Sequence, residues 1–213
     1  MALTYTPEHI FMSKRLVYRA FEDNEEDKAF LKQQILNDHT IQVMSTDRLP
    51  RPSHSQSTEA FVKMFHDSML GVLICLQPEG HPKDDSEYPS NDEVARAKPI
   101  GHVGLFNHLG PDTSHHRNVM LGISLAPGFR GKGYGGEAIN WGLDWAFRYA
   151  GAHRVGLAAF SYNENAVKLY RKLGFVQDGR EREAIYHLRA WHDVILFSML
   201  EHEWETLRGV EKN

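Results

Sequence analysis

Residues 123–175 read ISLAPGFRGKGYGGEAINWGLDWAFRYAGAHRVGLAAFSYNENAVKLYRKLGF. An apolar strand runs into Arg130-Gly131-Lys132-Gly133-Tyr134-Gly135, and a long helix follows. The glycines at 131, 133, 135 and 136 let the backbone turn sharply and present bare N–H groups, and the helix start adds the positive end of its dipole. Arg130 and Lys132 supply formal charge. Together these features make a cradle for phosphate.

Spacing selects among the motifs that share this physics. The pattern G-x-x-x-x-G-K-[ST] fails, because Gly128 and Gly131 stand too close and Gly133 follows Lys132. The dinucleotide pattern G-x-G-x-x-G is met at Gly131, Gly133 and Gly136, between a strand and a helix. Against it, Pro127 and two cationic side chains separate the strand from the glycines, and the preceding half of the chain lacks repeated strand-helix units. A dinucleotide-dependent oxidoreductase therefore stays open as an alternative. The pattern R-x-x-G-x-G is met at Arg130, Gly133 and Gly135. About one helix and one strand later comes Asn163-x-x-Ala166-x-x-x-Tyr170-x-x-x-Gly174-Phe175.

This pair of motifs resembles the GNAT family of acetyl-CoA-dependent N-acetyltransferases. The ending, Arg182-Glu183-Ala184-Ile185-Tyr186 and then Trp191-His192-Asp193-Val194, is similar to the branch that acetylates ribosomal-protein N-termini and polyamines. The resemblance spans roughly residues 13–201, and its specific motifs lie within 119–201. It implies a single α+β domain over residues 1–213. Such a domain is a mixed, twisted sheet of about seven strands with helices on both faces, splayed between the fourth and fifth strands to admit the cofactor.

The resemblance also implies roles. Arg130, Gly131, Lys132, Gly133, Tyr134 and Gly135 would bind the pyrophosphate of acetyl-CoA. The strand edge at Ile123, Ser124 and Leu125 would pair with the pantetheine amides as another strand does, one N–H also serving the developing oxyanion. Asn163 would cap its helix and touch the cofactor. Tyr170 would lie beside the thioester sulfur and protonate the departing thiolate. An amine with a pKa of about 10 must also lose a proton before attack. His102, His116 and Glu183 are the candidates for receiving it, and no motif chooses among them.

Other residues read more plainly. Ala166, Leu169, Tyr170 and Leu173 follow i, i+3, i+4, i+7 spacing, so Tyr170 has a packing role by periodicity. The 13 histidines, the pair His115-His116 included, fall in no metal-ligand spacing, and with no cysteine cluster no metal is expected. Glu22, Asp23, Glu25, Glu26 and Asp27 read as a solvated helix start, with a grip on a cationic substrate as the alternative. Trp141, Trp145 and Phe147 read as packing.

A chain of 213 residues, 41% hydrophobic and 24% charged, suits one packed domain. A lone cysteine, Cys75, excludes an intrachain disulfide. With no signal-peptide core and no apolar run of bilayer length, the expected location is the cytoplasm, with nuclear access open, and no membrane partner is expected. A net charge of −4 speaks against nucleic acid and suits a cationic amine.

Periodicity predicts strands at 15–19, 70–77, 100–106, 119–125, 154–160, 175–187 and 191–200. Helices are predicted at 27–36, 60–66, 135–149 and 165–173, with a loop over 45–59 leading into the second. The polar stretch 78–98, with three prolines, reads as a flexible surface insertion, or as a lid touching substrate through Tyr88. The last hairpin, turning at 188–190, is a plausible dimer surface. The expected function is acetyl transfer from acetyl-CoA to an amine of a small molecule or a protein. A non-catalytic acetyl-CoA-binding regulatory module is the alternative.

Overall fold

Runs of aliphatic and β-branched residues become seven strands: β1 (Leu16–Arg19), β2 (Leu70–Leu76), β3 (Pro99–Asn107), β4 (Asn118–Leu125), β5 (Arg154–Phe160), β6 (Val176–His187) and β7 (Ala190–Leu200). In the computed structural model, which describes residues 10–78 and 89–210, they form one sheet in the order β1-β2-β3-β4-β5-β7-β6. Every neighbouring pair is antiparallel except β4 and β5. The helices are α1 (Glu25–Phe30), α2 (His39–Met44), α3 (Ser55–His66), α4 (Asn91–Arg96), α5 (Tyr134–Arg148), α6 (Glu164–Lys172) and α7 (Glu201–Arg208). A π-helical turn, Leu31–Leu36, continues α1, and a 3-10 turn, Pro111–His116, precedes β4.

The sheet buries both faces, as a sheet with a helix layer on each side must. On one face Val103, Leu105, Val119, Leu121, Val155, Leu157 and Phe197 pack with Ile139, Leu143 and Trp204 of α5 and α7. On the other, Val17, Leu73 and Cys75 pack with Leu31, Ile35 and Phe65.

The parallel pair is short. β4 and β5 match only at Asn118↔Arg154, Val119↔Val155 and Met120↔Gly156, after which neither strand pairs with the other. Yet β4 keeps its register with β3 to Leu125, and β5 keeps its register with β7 to Phe160. The sheet therefore splits between them, and the closed end is fastened by specific bonds. The Arg117 carbonyl accepts from His153 N at 2.7 Å and Arg154 N at 3.2 Å. The Arg154 guanidinium reaches Asn118 Oδ1 at 3.0 Å and Asp178 at 2.6 Å. At the last pair the strands meet over a glycine, because a Cβ at Gly156 would stand 2.9 Å from the Met120 sulfur. The expected split between the fourth and fifth strands is present.

Several elements depart from expectation. α3 starts at Ser55 inside the expected loop, because Thr58 and Phe65 are drawn into the core and outweigh the weak helix preference of the Ser/Thr-rich lead-in. α4 lies within 78–98, opened by a capping box in which Ser90 and Glu93 satisfy each other's backbone N–H. That Ser-x-x-Glu signal is legible in the sequence. Tyr88 lies outside the described residues. α7 docks on α5 through Asp144, which accepts from Trp204 Nε1 at 2.7 Å and Arg208 Nε at 2.8 Å. In the acidic run, Glu22, Asp23, Glu25 and Glu26 are exposed as expected, but Asp27 is buried. It is held by the Arg19 guanidinium rather than by water.

Candidate active site at the split sheet

The open end of the split has two walls. Gly122, Ile123 and Leu125 of β4 are partly exposed, and Ala158, in the middle of the interior strand β5, is exposed. From Leu121 to Leu125 no strand pairs with β4 on its β5 side, so the peptide groups pointing there, apart from the Leu125 carbonyl that Arg130 occupies, are open to an extended ligand. Ile123 and Leu125 turn their side chains to the helix-packed core, while Ser124 is buried opposite His102 of β3.

Beyond β4 the chain forms the glycine loop. Gly131 and Gly133 have φ of 74° and 84°, a left-handed conformation that side chains disfavour. Gly133 caps α5 with no side-chain bond. Among the described residues, the N–H groups from Gly131 to Gly136 donate to no protein acceptor. Six bare donors at a helix N-terminus suit an anion of several oxygens, counting from Gly131 to Gly136.

The loop's charges are managed individually. Arg130 donates to the Leu125 carbonyl at 2.8 Å and pairs with Asp38 at 2.6 Å. Lys132 is exposed, its ammonium 5.7 Å from the Phe129 ring centroid. Tyr134 stacks under a guanidinium the sequence did not suggest, that of Arg15, at 4.4 Å. Gly135 lies against Leu125 and Leu169, which brings α5 close to α6.

α2 crosses the open end. Asp38 caps it by accepting from Ile41 N at 2.8 Å while also holding Arg130 of the β4 side. At its other end the Val43 carbonyl accepts from Tyr162 Oη at 2.6 Å, and the Met44 carbonyl from Asn163 Nδ2 at 3.2 Å, both from the β5 side. Asn163 also caps α6, accepting from Ala166 N at 3.2 Å. A six-residue helix is too short to leave a periodic trace, so this strap was invisible in the sequence.

Tyr170 packs its ring against Phe175 and Phe197, at 6.0 and 5.8 Å between centroids. Phe197 pairs with Leu157, the first β5 residue beyond the last pair with β4. The ring therefore sits at the apex of the split. Its hydroxyl has no protein partner among the described residues, and burial pushes the phenol up to about 12. It therefore stays protonated where an ordinary phenol begins to ionise.

The three candidates for the amine proton occupy different places. His116 is in the 3-10 turn before the fastened end of β4, its ring tilted against that of His115 at 3.9 Å between centroids. The length of β4, roughly 23 Å at 3.3 Å per residue, separates it from the open end. His102 is 7% exposed, its Nδ1 without a partner and its ring enclosed by Phe61 and Phe65 at 5.1 and 5.0 Å. That burial drives the imidazole down to about 3, too weak a base for an ammonium. Glu183 bulges from β6 with φ of 52°, its N–H donating to Asp193 at 2.8 Å. Asp193 is tied to Arg180 and to Ser161 just past β5, so Glu183 stands at the open end, where Arg182, Glu183 and Asp193 line a shallow recess. The Glu183 N–H, then Arg180, hold the Asp193 carboxyl below its usual range. Tyr162, flanked by His187 at 4.7 Å and His192 at 4.8 Å, completes this side.

The His102 environment has a measurable consequence. In the unfolded chain its imidazole takes a proton near pH 6.5, whereas in the folded chain it resists until about 3. Between those values the unfolded state binds more protons, so this group removes stability as pH falls, by about 1.4 kcal/mol per unit. His102→Leu is expected to flatten the stability-pH curve between pH 6 and 4 by that slope, as read by urea unfolding. Parallel curves for the two proteins would contradict the burial.

Among the described residues, no group of His, Cys, Asp and Glu is placed to hold a metal ion, and no helix is long and apolar enough to cross a membrane. The chain is 33% identical over 109 residues to the uncharacterized N-acetyltransferase YokL of Bacillus subtilis, covering 50% of this chain and 60% of that protein. It is 30% identical over 126 residues to the spermidine N(1)-acetyltransferase of Vibrio cholerae, covering 58% of this chain and 69% of the relative. The first of these alignments thus spans less than two thirds of the relative's length. A solved structure of the Vibrio cholerae spermidine N-acetyltransferase, in complex with CoA and spermine, superposes with a TM-score of 0.69 at 24% identity. That match covers 90% of this chain and 99% of that one and establishes the shared fold. A split parallel pair, a bare glycine loop and a tyrosine at the apex converge with one further match, that of residues 57–175, over half the sequence, to the acetyltransferase (GNAT) family model, and the chain belongs to that family.

Proposed function

We propose that this protein is a single-domain acetyl-CoA-dependent N-acetyltransferase whose acceptor is an amine of a small molecule or a protein N-terminus. The observation that carries the reading is the split beyond Met120↔Gly156, with bare loop donors at one lip and Tyr170 at its apex. The free N–H groups of Gly131 to Gly136, with Arg130 and Lys132, fit a pyrophosphate, and the unpaired edge at Ile123, Ser124 and Leu125 fits an amide chain. Acetyl-CoA supplies an activated acyl group.

The chain's residues then have definite tasks. Pairing to β4 and the loop holds the donor, and a β4 N–H donates to the carbonyl oxygen as negative charge develops on it. As the neutral amine forms the N–C bond, the C–S bond breaks and Tyr170 gives its proton to the leaving sulfur. Glu183, at the open end, takes the amine proton directly or through water. Asn163 holds α6, and so Tyr170, against α2. The exposed acids Glu22, Asp23, Glu25 and Glu26 favour approach of cationic amines. The named activity of the Vibrio cholerae relative supports polyamines as the first acceptors to test. An intracellular location, cytoplasmic or nuclear, accords with a lone buried Cys75. A homodimer through the last hairpin accords with exposed Tyr186, Leu188 and Trp191.

Acetyl-CoA and CoA are expected to raise the unfolding midpoint, while NAD and NADP leave it unchanged. Combining Arg130→Ala with Gly133→Val is expected to weaken acetyl-CoA binding about tenfold or more, by removing a charged donor and by forcing a branched residue into left-handed backbone. Titration calorimetry reads the dissociation constant, and release of free thiol with a panel of amines reads turnover. An unchanged constant would remove the loop from the site. Binding without turnover on any amine would favour the regulatory module.

A further inference from the structure

The loop is contacted by a residue more than a hundred positions away. Arg15, just ahead of β1, donates through Nη1 to the Lys132 carbonyl at 3.0 Å and through Nε to Glu137 Oε2 at 2.7 Å. Its own backbone N–H reaches Glu137 Oε1 at 2.7 Å, and the Ser13 hydroxyl reaches the same oxygen at 2.8 Å. The guanidinium lies over the Tyr134 ring at 4.4 Å. Thus Arg15 touches three residues of the seven-residue turn from Gly131 to Glu137, and a Cβ on Gly133 would stand 3.2 Å from its Nη2.

We infer that Arg15 is a positioning residue of the acetyl-CoA phosphate site, holding the Lys132–Gly133 peptide so that the Gly133 N–H faces the ligand. This rests on the acetyl-CoA reading above. A trans peptide carries its C=O and N–H on opposite sides. With the Lys132 carbonyl bound on the Arg15 side, the Gly133 N–H is turned the other way, where no protein acceptor meets it. Gly133 is also the left-handed cap of α5, and a glycine left untethered samples many other conformations. Arg15 removes that freedom before the ligand arrives. Its charge is matched by Glu137, so its contribution is geometric and not a further attractive charge. Lysine lacks the planar fork that bonds a carbonyl and a carboxylate while stacking on a ring, so it does not substitute.

The experiment compares the wild type with Arg15→Ala, Arg15→Lys and Arg15→Gln, using acetyl-CoA and acetyl-pantetheine, a donor without the pyrophosphate. In all three variants the dissociation constant for acetyl-CoA is expected to rise about tenfold. The ratio of kcat/KM for acetyl-CoA to that for acetyl-pantetheine falls by the same factor, and KM for the amine stays constant. The Arg15 side chain is 42% exposed, so the unfolding midpoint moves little; a purely structural role would move it and would penalise both donors equally. An unchanged dissociation constant, equal losses with both donors, or full rescue by lysine overturns the proposal. A wild type that binds neither acetyl-CoA nor CoA overturns instead the acetyl-CoA reading on which it rests.

Discussion

Tyr170→Phe is expected to lower kcat by about 10²-fold while leaving acetyl-CoA affinity and thermal stability close to those of the parent. The substitution keeps the ring that packs on Phe175 and Phe197, and so nearly all the buried area. It deletes the Tyr170 hydroxyl at the apex of the split, which among the described residues has no protein partner to leave unsatisfied. General acids contribute about 10² to 10⁴, and a thiol of pKa about 8.5 is a tolerable leaving group, which puts the loss at the low end. The pH dependence is also set by burial. A phenol of ordinary pKa near 10 would begin to ionise where amines become neutral, and the wild-type rate would turn down there. With the Tyr170 phenol pushed up to about 12, both proteins should rise together through pH 10 as the amine loses its proton. A variant as fast as the parent at saturating substrates, with chemistry shown to be rate-limiting, would reduce Tyr170 to packing.

Asp27→Asn is expected to cost about 3–5 kcal/mol of folding stability, enough to threaten folding of a marginally stable domain. Arg19 makes two 2.7 Å bonds to the Asp27 carboxylate, and the side chains are 10% and 1% exposed. Asp27 also accepts from the Glu22 N–H at 3.0 Å, and its own N–H bonds Asn24. The Arg19 Nε is already buried without a partner and Nη1 otherwise reaches only the Ala20 carbonyl at 3.2 Å, so neutralising Asp27 leaves a nearly buried guanidinium without its counter-charge. Replacing both residues together, Arg19→Met with Asp27→Leu, is expected to recover most of the loss, because the charge itself goes. Urea unfolding monitored by tryptophan fluorescence measures all three. A loss under about 1 kcal/mol for Asp27→Asn would show the pair to be screened like a surface pair. The interaction matters for function because it fastens α1 to β1, and with it the segment that leads to the α2 strap.

The two halves of the site differ in how far they could be read in advance. Each predicted strand lies within one residue of its observed ends, and the 15-residue α5 and 9-residue α6 are displaced by a single position. These elements were legible because their period of 2 or 3.6 repeats often enough to stand above composition. The order of the glycine loop and the Asn163 to Gly174 motif was likewise in the sequence, since a helix cap and a turn need particular residues at fixed local offsets. So was the split, although only through resemblance, because no local pattern says where two parallel strands stop pairing.

Everything that depends on a partner distant along the chain was decided by the tertiary structure. α2 has six residues and too few apolar positions to show a period, yet it bridges both walls because Asp38 meets Arg130 and Tyr162 meets Val43. α7 is held by Asp144, 60 positions away from Trp204. Asp27 looked like one of five solvated acids until Arg19 was folded against it. His102 looked like a base until Phe61 and Phe65 closed over it. Arg15 carries no motif, and its place beside Gly133 exists only because the lead-in to an edge strand passes the start of α5. A charge or an acid-base strength is a property of surroundings, and the sequence specifies those surroundings only through the completed fold.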